Sequence, residues 1–372
     1  MMDEEHFYRL ALSRIPGIGL ITAHKIIEGV ESVTWLFKHR KEVMDALSGA
    51  TPLLVKALDC PDVLRACEKE MKFAEDNHIS CLISTDTDYP SRLLECNDAP
   101  TVLFYRGNAD LNRLHVISVV GTRRATNYGR DLCESFVRDL KSLIPDALIV
   151  SGLAYGIDIT AQRACLTHGL DTVAVLAHGL DRIYPSVHRD TAAEMVRHGG
   201  LVTEFTSGTN PDRQNFVMRN RIIAGMADAT IIVESANKGG ALITASIARS
   251  YNRECFTFPG RVGDEYSTGC NRMIRLNQAA LIESAEDLAD AMNWSDTVKA
   301  GRRQPVQREL FPTFTEEEQK VLNALSGMDN GMQINSLSQS TDMAVHKLAG
   351  ILLELEAKGV VRVCAGDYYR MV

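Results

Sequence analysis

The sequence lacks long apolar segments and paired cysteines. No stretch approaches 18 uninterrupted apolar residues, so we expect no membrane span. The first residues, MMDEEHFYRL, are acidic and contain no apolar core, which argues against a signal peptide. None of the nine cysteines forms a CxxC pair, and their number is odd. Buried free thiols in a reducing compartment are favoured over disulfides or zinc, so we expect a cytoplasmic protein without a metal site.

The signatures of common enzymes are also absent. The sequence contains no GxGxxG fingerprint, no Walker A motif GxxxxGK[ST], and no HExxH or GxSxG motif. His178, His188 and His198 are spaced by ten residues, which fits no compact metal-ligand pattern. These absences disfavour the usual nucleotide enzymes and favour a binding protein over an enzyme.

The charge balance limits the possible partners. The net charge of −8 argues against a protein whose entire surface binds nucleic acid. Affinity for phosphates follows local charge, however, so a local basic groove is compatible with this total. A chain of 372 residues is long enough for two or three domains.

Composition and periodicity divide the chain into four segments. Residues 1–77 are predicted to be helical around the turn PGIG at Pro16–Gly19, as in a helix-hairpin-helix (SAM-like) domain or, alternatively, a simple packing turn. Residues 78–294 contain most of the predicted strands, and 295–313 are polar, basic and proline-marked like a linker. Residues 314–372 begin with the capping box Thr315–Glu318 and continue as three helices and a hairpin, which predicts a winged-helix domain.

Strands alternate with helices across residues 115–292. The predicted strands are Val116–Val120, Ala147–Val150, Thr172–Leu176, Leu201–Thr203, Ala229–Val233, Cys255–Phe258 and Ala280–Ile282. The predicted helices are Gly129–Leu143, Ile157–His168, Val187–His198, Phe216–Met226, Ala241–Tyr251 and Arg272–Leu276. This alternation predicts an α/β fold with an extended Rossmann-like, doubly wound, mostly parallel sheet.

Glycine-marked turns recur where the predicted strands lead into helices. Three of them, VVGTRRATNYG, IVSGLAYGID and VESANKGGALITA, supply the candidate residues Gly121, Thr122, Arg123, Ser151, Gly152, Gly156, Lys238, Gly239 and Gly240. Turns at the carboxyl edge of a parallel sheet meet, and helix starts favour anions, so we expect a phosphate site there. The alternatives are a surface salt bridge for Arg123 and a solvated side chain for Lys238.

The stretch from Thr203 to Ala229 is the densest in hydrogen-bond donors. Asn215, Arg219 and Arg221 lie near one predicted helix start, where Phe216 adds an aromatic face. Basic donors beside an aromatic ring suit a single-stranded nucleic acid, whose bases stack while its phosphates pair. Alternatively, Phe216 fills the core and one arginine bridges the sheet. We expect at least one of the two arginines to be functional.

Several long motifs in the same order carry a resemblance to a known family. They are YPSRLLECNDAPTVLFYRGN, VVGTRRATNYG, SGLAYGID, GLDRIYP, NFVMRNRIIAG, the segment through LITA, and FPGRVGDEYSTGCNRMI. From about Tyr89 to Leu288 the chain resembles DNA-processing protein A, also called Smf. The resemblance implies an extended Rossmann fold that binds and protects single-stranded DNA without strong sequence preference. It also implies a homodimer that loads the RecA recombinase during natural transformation, with no cofactor and no catalysis.

The resemblance also implies which side chains contact DNA. Arg123 of the G-[ST]-R turn, Lys238, and the arginines of NFxxRNR, Arg219 and Arg221, match the family's motifs. Where family members commonly read KSGSLIT, this chain reads KGGALIT, so Gly239 and Ala241 offer backbone amides but no hydroxyls.

Two further functions remain open from the residues alone. One is a nucleotide-binding or nucleotide-hydrolysing enzyme, which would use Glu204, Glu234 or Asp158 as general acid or base. The other is an adaptor whose end domains bind partners. The predicted last helix carries as many acidic as basic residues, which favours protein contact over DNA reading in the winged-helix domain.

Overall fold

The computed structural model describes residues 3–43, 51–294, 314–326, 331–364 and 368–371. The predicted linker 295–313 and the turn between the last two strands lie outside the described residues. The chain divides into two units, one within residues 1–298 and one within 299–372. The first unit is not divided at residue 77, where the sequence predicts a domain boundary. An independent N-terminal domain therefore remains a prediction.

The first unit contains a nine-stranded sheet and most of the helices. Its strands are β1 (Ser80–Ile83), β2 (Val102–Gly107), β3 (Val116–Val120), β4 (Leu148–Ser151), β5 (Asp171–Val175), β6 (Gly199–Thr203), β7 (Ala229–Ile232), β8 (Glu254–Thr257) and β9 (Ala280–Leu281). Its helices are α1 (Glu4–Arg14), α2 (Leu20–Gly29), α3 (Val33–Lys38), α4 (Pro52–Ala57), α5 (Pro61–Asp76), α6 (Ser91–Leu94), α7 (Asn127–Leu143), α8 (Ile157–His168), α9 (Arg189–Met195), α10 (Arg213–Gly225), α11 (Gly240–Ser250), α12 (Thr268–Arg275) and α13 (Ala285–Ala291).

The strand order of the sheet is β1-β2-β6-β5-β4-β3-β7-β8-β9. All pairs from β6 to β9 are parallel, whereas β2 pairs antiparallel with both β1 and β6. The run β5-β4-β3-β7-β8-β9 has the doubly wound order of a Rossmann fold, which β6, β2 and β1 extend on one side. The predicted α/β class with a mostly parallel sheet is confirmed.

The sheet is covered on both faces, which explains its apolar strands. Every residue of β3, β4 and β7 is buried. Helices α10 and α11 contribute to one buried core, and α7, α8 and α13 contribute to the other. Strands buried on both faces read as continuous apolar runs, because neither face meets water.

The N-terminal helices pack together with β1 and β2 around a separate core that includes Leu10, Leu36 and Phe104. Helices α1 and α2 flank the PGIG turn, where Gly17 adopts a φ of +89°. Such a positive φ is easily reached only without a Cβ, so glycine suits this turn.

The described part of the second unit contains three helices and a small sheet. They are α14 (Glu316–Leu325), α15 (Ile334–Thr341), α16 (Val345–Ala357), β10 (Met332–Gln333), β11 (Val361–Cys364) and β12 (Tyr368–Met371). The capping box is present, since Thr315 and Glu318 each accept a hydrogen bond from the other's backbone N–H. The sheet order is β10-β12-β11, so β10 adds a strand that the sequence did not predict.

Candidate nucleic-acid interface

The candidate site is a cavity of about 1230 Å³ at the carboxyl edge of the large sheet. The strand order reverses between β3 and β7, and a crevice forms at such a switch point because the helices leave on opposite faces. The turns after these two strands are joined by a hydrogen bond of 2.7 Å from the Thr122 N–H to the Glu234 carbonyl. The predicted turns therefore do come together.

Four exposed cations line this cavity: Arg123, Arg124, Arg213 and Lys238. Among the residues that the structure describes, no ion pair joins any of the four to a carboxylate. The acidic side chains of the lining are Asp158, which is buried, and Glu265. The cavity is therefore locally basic although the whole chain carries a net charge of −8.

The first turn holds Arg123 at the cavity through buried supports. A Cβ on Gly121 would lie 2.4 Å from Ile157 Cγ1, so this glycine permits close packing against the start of α8. The Thr122 hydroxyl accepts a hydrogen bond of 3.1 Å from the Arg124 N–H. Glu234, nearly inaccessible to solvent, accepts bonds from the backbone N–H and hydroxyl of Thr126 at 2.9 and 2.6 Å. The turn is thus fixed while Arg123 stays exposed.

The second turn supplies framework rather than ligand groups. Ser151 is fully buried, and its hydroxyl donates to the Val119 carbonyl at 2.7 Å, which argues against its predicted ligand contact. A Cβ on Gly152 would lie 2.1 Å from Arg219 Nη1. Gly156 has a φ of +76°, and a Cβ there would meet the Thr122 carbonyl oxygen at 2.1 Å. Gly152 thus makes room for the Arg219 guanidinium, and Gly156 lets the backbone of the first turn approach closely.

Helix α10 begins earlier than the sequence predicts, and the added turn contributes Arg213 to the cavity lining, whereas the predicted site residue Asn215 does not line the cavity. The Asp212 carboxylate caps the helix by accepting a bond of 2.8 Å from the Asn215 N–H. Arg213 therefore lies at the first helical position, exposed at the cavity. The Asn215 side-chain amide donates to the Asn210 carbonyl at 3.0 Å, so it holds the preceding loop. We did not predict Arg213 from the sequence, because the Asp212 cap was overlooked.

Phe216 is half-buried and lies between two guanidinium groups. Its ring centroid is 5.0 Å from Arg123 Cζ and 5.8 Å from Arg219 Cζ. The ring of Tyr184, half-exposed at the same cavity, lies 6.0 Å away. Tyr184 is a further lining residue that sequence reasoning missed, although GLDRIYP places it just beyond β5. The cavity thus combines cations with aromatic rings.

The two predicted arginines of α10 are not free to bind phosphate. Arg219 is 3% exposed, and its Nη1 donates to the carbonyls of Gly152 and Val175. Burial lowers the pKa of Arg219 to about 10, an effect that the nearby Asp158 charge opposes. Arg221 is buried in an ion pair with Glu204. Their burial and bonding argue against direct phosphate contact and for a positioning role, in which Arg219 bridges the sheet.

The third turn leads into the N-terminus of α11 at the cavity wall. Lys238 is exposed, and Gly239 caps the helix without a side-chain bond. A Cβ on Gly239 would meet Ser235 Oγ at 2.3 Å, whereas nothing lies within 4 Å of the corresponding position on Gly240. Because no side chain caps α11, its first backbone N–H groups remain available to an anion. The peptide dipoles of its eleven residues are aligned, so the N-terminus of the helix carries a partial positive charge that attracts an anion.

Two of the three candidate acids of the enzymatic alternative, Asp158 and Glu234, are buried, and the side chain of the third, Glu204, is 11% exposed. Glu234 binds Thr126, Glu204 pairs with Arg221, and Asp158 lies in the first turn of α8 near the Arg219 charge. Burial raises the pKa of Glu204 and of Asp158. Each carboxylate therefore has a structural use in the described part of the chain.

No group of three or more His, Cys, Asp or Glu residues could hold a metal ion within the described ranges. The described cysteine thiols are free, and all but Cys60 are buried. No helix in the part of the chain that the structure describes is both long and apolar enough to cross a membrane.

Comparison with known proteins supplies a context for this cavity. The sequence model of the family described as "DNA recombination-mediator protein A" matches residues 80–293. Protein Smf of Synechocystis is 31% identical over 315 residues, covering 82% of this chain and 77% of that protein. A putative DNA processing protein DprA of Mycobacterium tuberculosis is 32% identical over 284 residues, covering 76% of this chain and 71% of that protein.

Two solved structures are also similar. The X-ray structure of DNA processing protein A from Streptococcus pneumoniae has a TM-score of 0.61 at 28% identity and covers 78% of this chain and 98% of its own. DNA processing protein A from Helicobacter pylori, whose structure was described for its unique single-stranded DNA binding mode, has a TM-score of 0.52 at 27% identity. That match covers 57% of this chain and 95% of the other.

Proposed function

This chain belongs to the DNA recombination-mediator protein A family, and on that premise we propose that it binds single-stranded DNA at the carboxyl edge of its large sheet. The observation that carries the proposal is the group of four exposed cations around the cavity, none of which forms an ion pair with a carboxylate among the described residues. Unpaired cations attract a polyanion and release its counterions, so such a group supports binding to a phosphate backbone.

The phosphate contacts that we propose come from side chains and from one helix terminus. Arg123, Arg124, Arg213 and Lys238 would pair with phosphates, and the guanidinium groups can form two parallel hydrogen bonds to one phosphate. The backbone N–H groups of Gly240 and Ala241 would donate hydrogen bonds to a further phosphate, so no side-chain hydroxyls are needed there. Arg219 and Arg221 would act through the backbone and side chains that they hold, as positioning residues.

Selectivity for single strands would come from Phe216. Its ring lines the cavity, where an unpaired base can stack on it after displacing the Arg123 guanidinium. Base–aromatic stacking tolerates any sequence because every base has a π-face. A base inside a duplex is already stacked on both sides and could not enter in this way.

We further propose that the protein processes DNA during natural transformation, working as a homodimer that delivers the strand to RecA. The family's description as a recombination mediator supports this step. The expected result is faster RecA-driven strand invasion when the protein is added to DNA coated with single-strand-binding protein. An unchanged rate would contradict the delivery step while leaving DNA binding intact.

The outer helical segments have proposed roles of their own. We propose that α1, PGIG and α2 form a helix-hairpin-helix, and that residues 314–372 form a winged helix for protein contact. In the latter, Lys347 pairs with Glu317 and Lys358 pairs with Glu318, which leaves little free positive charge on α16 for DNA. Free buried thiols fit action in the reducing cytoplasm.

Fluorescence anisotropy with labelled oligonucleotides tests the DNA-binding proposal. The same sequence is offered to the full chain as a single strand and as a duplex, each at two salt concentrations. We expect tighter binding of the single strand, with affinity that falls as salt rises by about 0.7 log units per log unit of salt for each neutralised phosphate. Equal affinity for both forms, or no salt dependence, would contradict the proposal.

A further inference from the structure

A second cavity of about 940 Å³ adjoins the first at the same edge of the sheet. The two cavities share Glu265 and Tyr266 in their linings, so they meet at the loop that carries these two residues. The start of α7, including Tyr128, forms the other wall of the second cavity. A chain molecule lying in the first cavity can therefore continue into the second across Tyr266.

Tyr128 is held in place although it is exposed. Its hydroxyl donates a hydrogen bond of 2.9 Å to the Pro259 carbonyl, which ties the ring to the opposite wall. The side chain is nevertheless 52% exposed. An exposed ring that is already fixed loses little conformational freedom when a flat partner stacks on it, because its entropy cost has been met in folding.

The charges of the second cavity differ from those of the first. Its lining contains one exposed cation, Arg261, together with the exposed carboxylates of Asp264 and Glu265. This mixture does not favour a phosphate, whereas it offers both donors and acceptors to the polar edge of a nucleobase. The backbone of a bound strand would therefore keep to the first cavity and extend only a base into the second.

We propose that the second cavity binds a nucleobase of the same DNA strand, stacked on Tyr128. This inference rests on the proposed function, because it extends the single-strand site beyond the four cations of the first cavity. Strands long enough to reach both cavities would gain the additional stack. Shorter strands would fill the first cavity alone and would not contact Tyr128.

The test measures the affinity of the full chain for a series of oligothymidylates of increasing length. For the wild-type protein, affinity should rise with length and level off once both cavities are occupied. The Tyr128→Leu variant should match wild type on the shortest strands that bind and be about tenfold weaker on long ones, the effect of losing one base–aromatic stack. Tyr128→Phe keeps the ring but loses the bond to Pro259, so on long strands its affinity should lie between those of wild type and Tyr128→Leu.

Tyr155→Leu is the matched control. Tyr155 is 49% exposed at the same sheet edge, packs against the His188 ring at 5.1 Å, and lines neither cavity. Its replacement should leave the length dependence unchanged. Thermal unfolding of each variant checks that the fold is retained.

Three results would overturn the inference. They are a Tyr128→Leu variant that equals wild type at all lengths, an equal loss at all lengths, and a similar loss for Tyr155→Leu. A free mononucleotide in the second cavity predicts the first of these results. If the wild-type protein binds no oligothymidylate at all, the proposed function fails instead, so the two failures are distinguishable.

Discussion

Arg219 Nη1 donates a hydrogen bond of 2.7 Å to the carbonyl oxygen of Gly152. The same nitrogen also bonds the carbonyl of Val175, so one side chain from α10 joins the ends of β4 and β5. These strand ends form part of the cavity edge, and their relative position depends on this guanidinium. Arg219 therefore stabilises the cavity edge as a buried residue.

Replacing Arg219 should lower the stability of the fold rather than remove a direct contact with DNA. Arg219→Leu leaves two buried carbonyls without a donor and removes the charge that opposes Asp158, and we expect a loss of about 3 to 5 kcal/mol in the free energy of unfolding. Urea unfolding measures this loss. Arg138→Ala, an exposed arginine beside Asp139, is the control and should change little. A stable Arg219→Leu protein with weak DNA binding would instead indicate direct contact.

Gly152 should tolerate no side chain. In Gly152→Ala the new Cβ would lie 2.1 Å from Arg219 Nη1, a group that its two hydrogen bonds hold in place. We expect destabilisation of about 1 to 3 kcal/mol, as for overpacking elsewhere. Gly240→Ala is the matched control, since nothing lies within 4 Å of its Cβ position. Equal unfolding midpoints for the two variants would show that the arginine can move away.

His178 should make the stability depend on pH. Its Nδ1 donates to the Gly179 carbonyl at 2.8 Å and its Nε2 accepts from the Tyr184 N–H at 3.2 Å, so the buried ring is neutral. Burial lowers the pKa of His178 below its ordinary value of 6.5. As the pH falls below that value, the unfolded chain gains a proton that the folded chain excludes, and stability decreases.

Urea unfolding about one pH unit above and one below this value measures the His178 effect. The wild-type protein should lose stability at the lower pH, and His178→Asn should lose less, because it has no proton to gain. Other buried histidines titrate equally in both proteins and cancel in the difference. An identical pH dependence in the two proteins would contradict the assignment.

Glu70 of α5 should control the loop that precedes α10. Its carboxylate accepts bonds from the Ser207 N–H, at 2.8 Å, and from the Ser207 hydroxyl. Glu70→Ala leaves these donors unpaired, so we expect a stability loss of about 1 to 3 kcal/mol and weaker DNA binding, because the loop leads to Arg213. Glu68→Ala, exposed on the same helix, is the control. Undiminished affinity in Glu70→Ala would show that the loop does not position Arg213.

The type of most elements in the sheet domain could be predicted from periodicity, and β3 and α8 have the predicted bounds, whereas the helices α6 and α13 were not predicted. The start of α10 was missed because a single side chain, Asp212, sets it. An arginine that bridges the sheet was one of two alternatives, and the sequence could not decide for Arg219, because its burial depends on Gly152, which is 67 residues away in sequence. Sequence patterns report local periodicity and composition, whereas the partner of a buried charge is fixed by tertiary packing.

The central claim is that exposed cations at the switch point bind the phosphates of single-stranded DNA, and the salt dependence of affinity tests it most directly. Anisotropy titrations over a salt series compare the wild-type protein with Arg123→Ala, Lys238→Ala and, as control, Arg138→Ala. We predict weaker binding for the first two variants, each with a log–log salt slope about 0.7 smaller in magnitude, and no change for Arg138→Ala. Unchanged affinity and slope in both Arg123→Ala and Lys238→Ala would contradict the account.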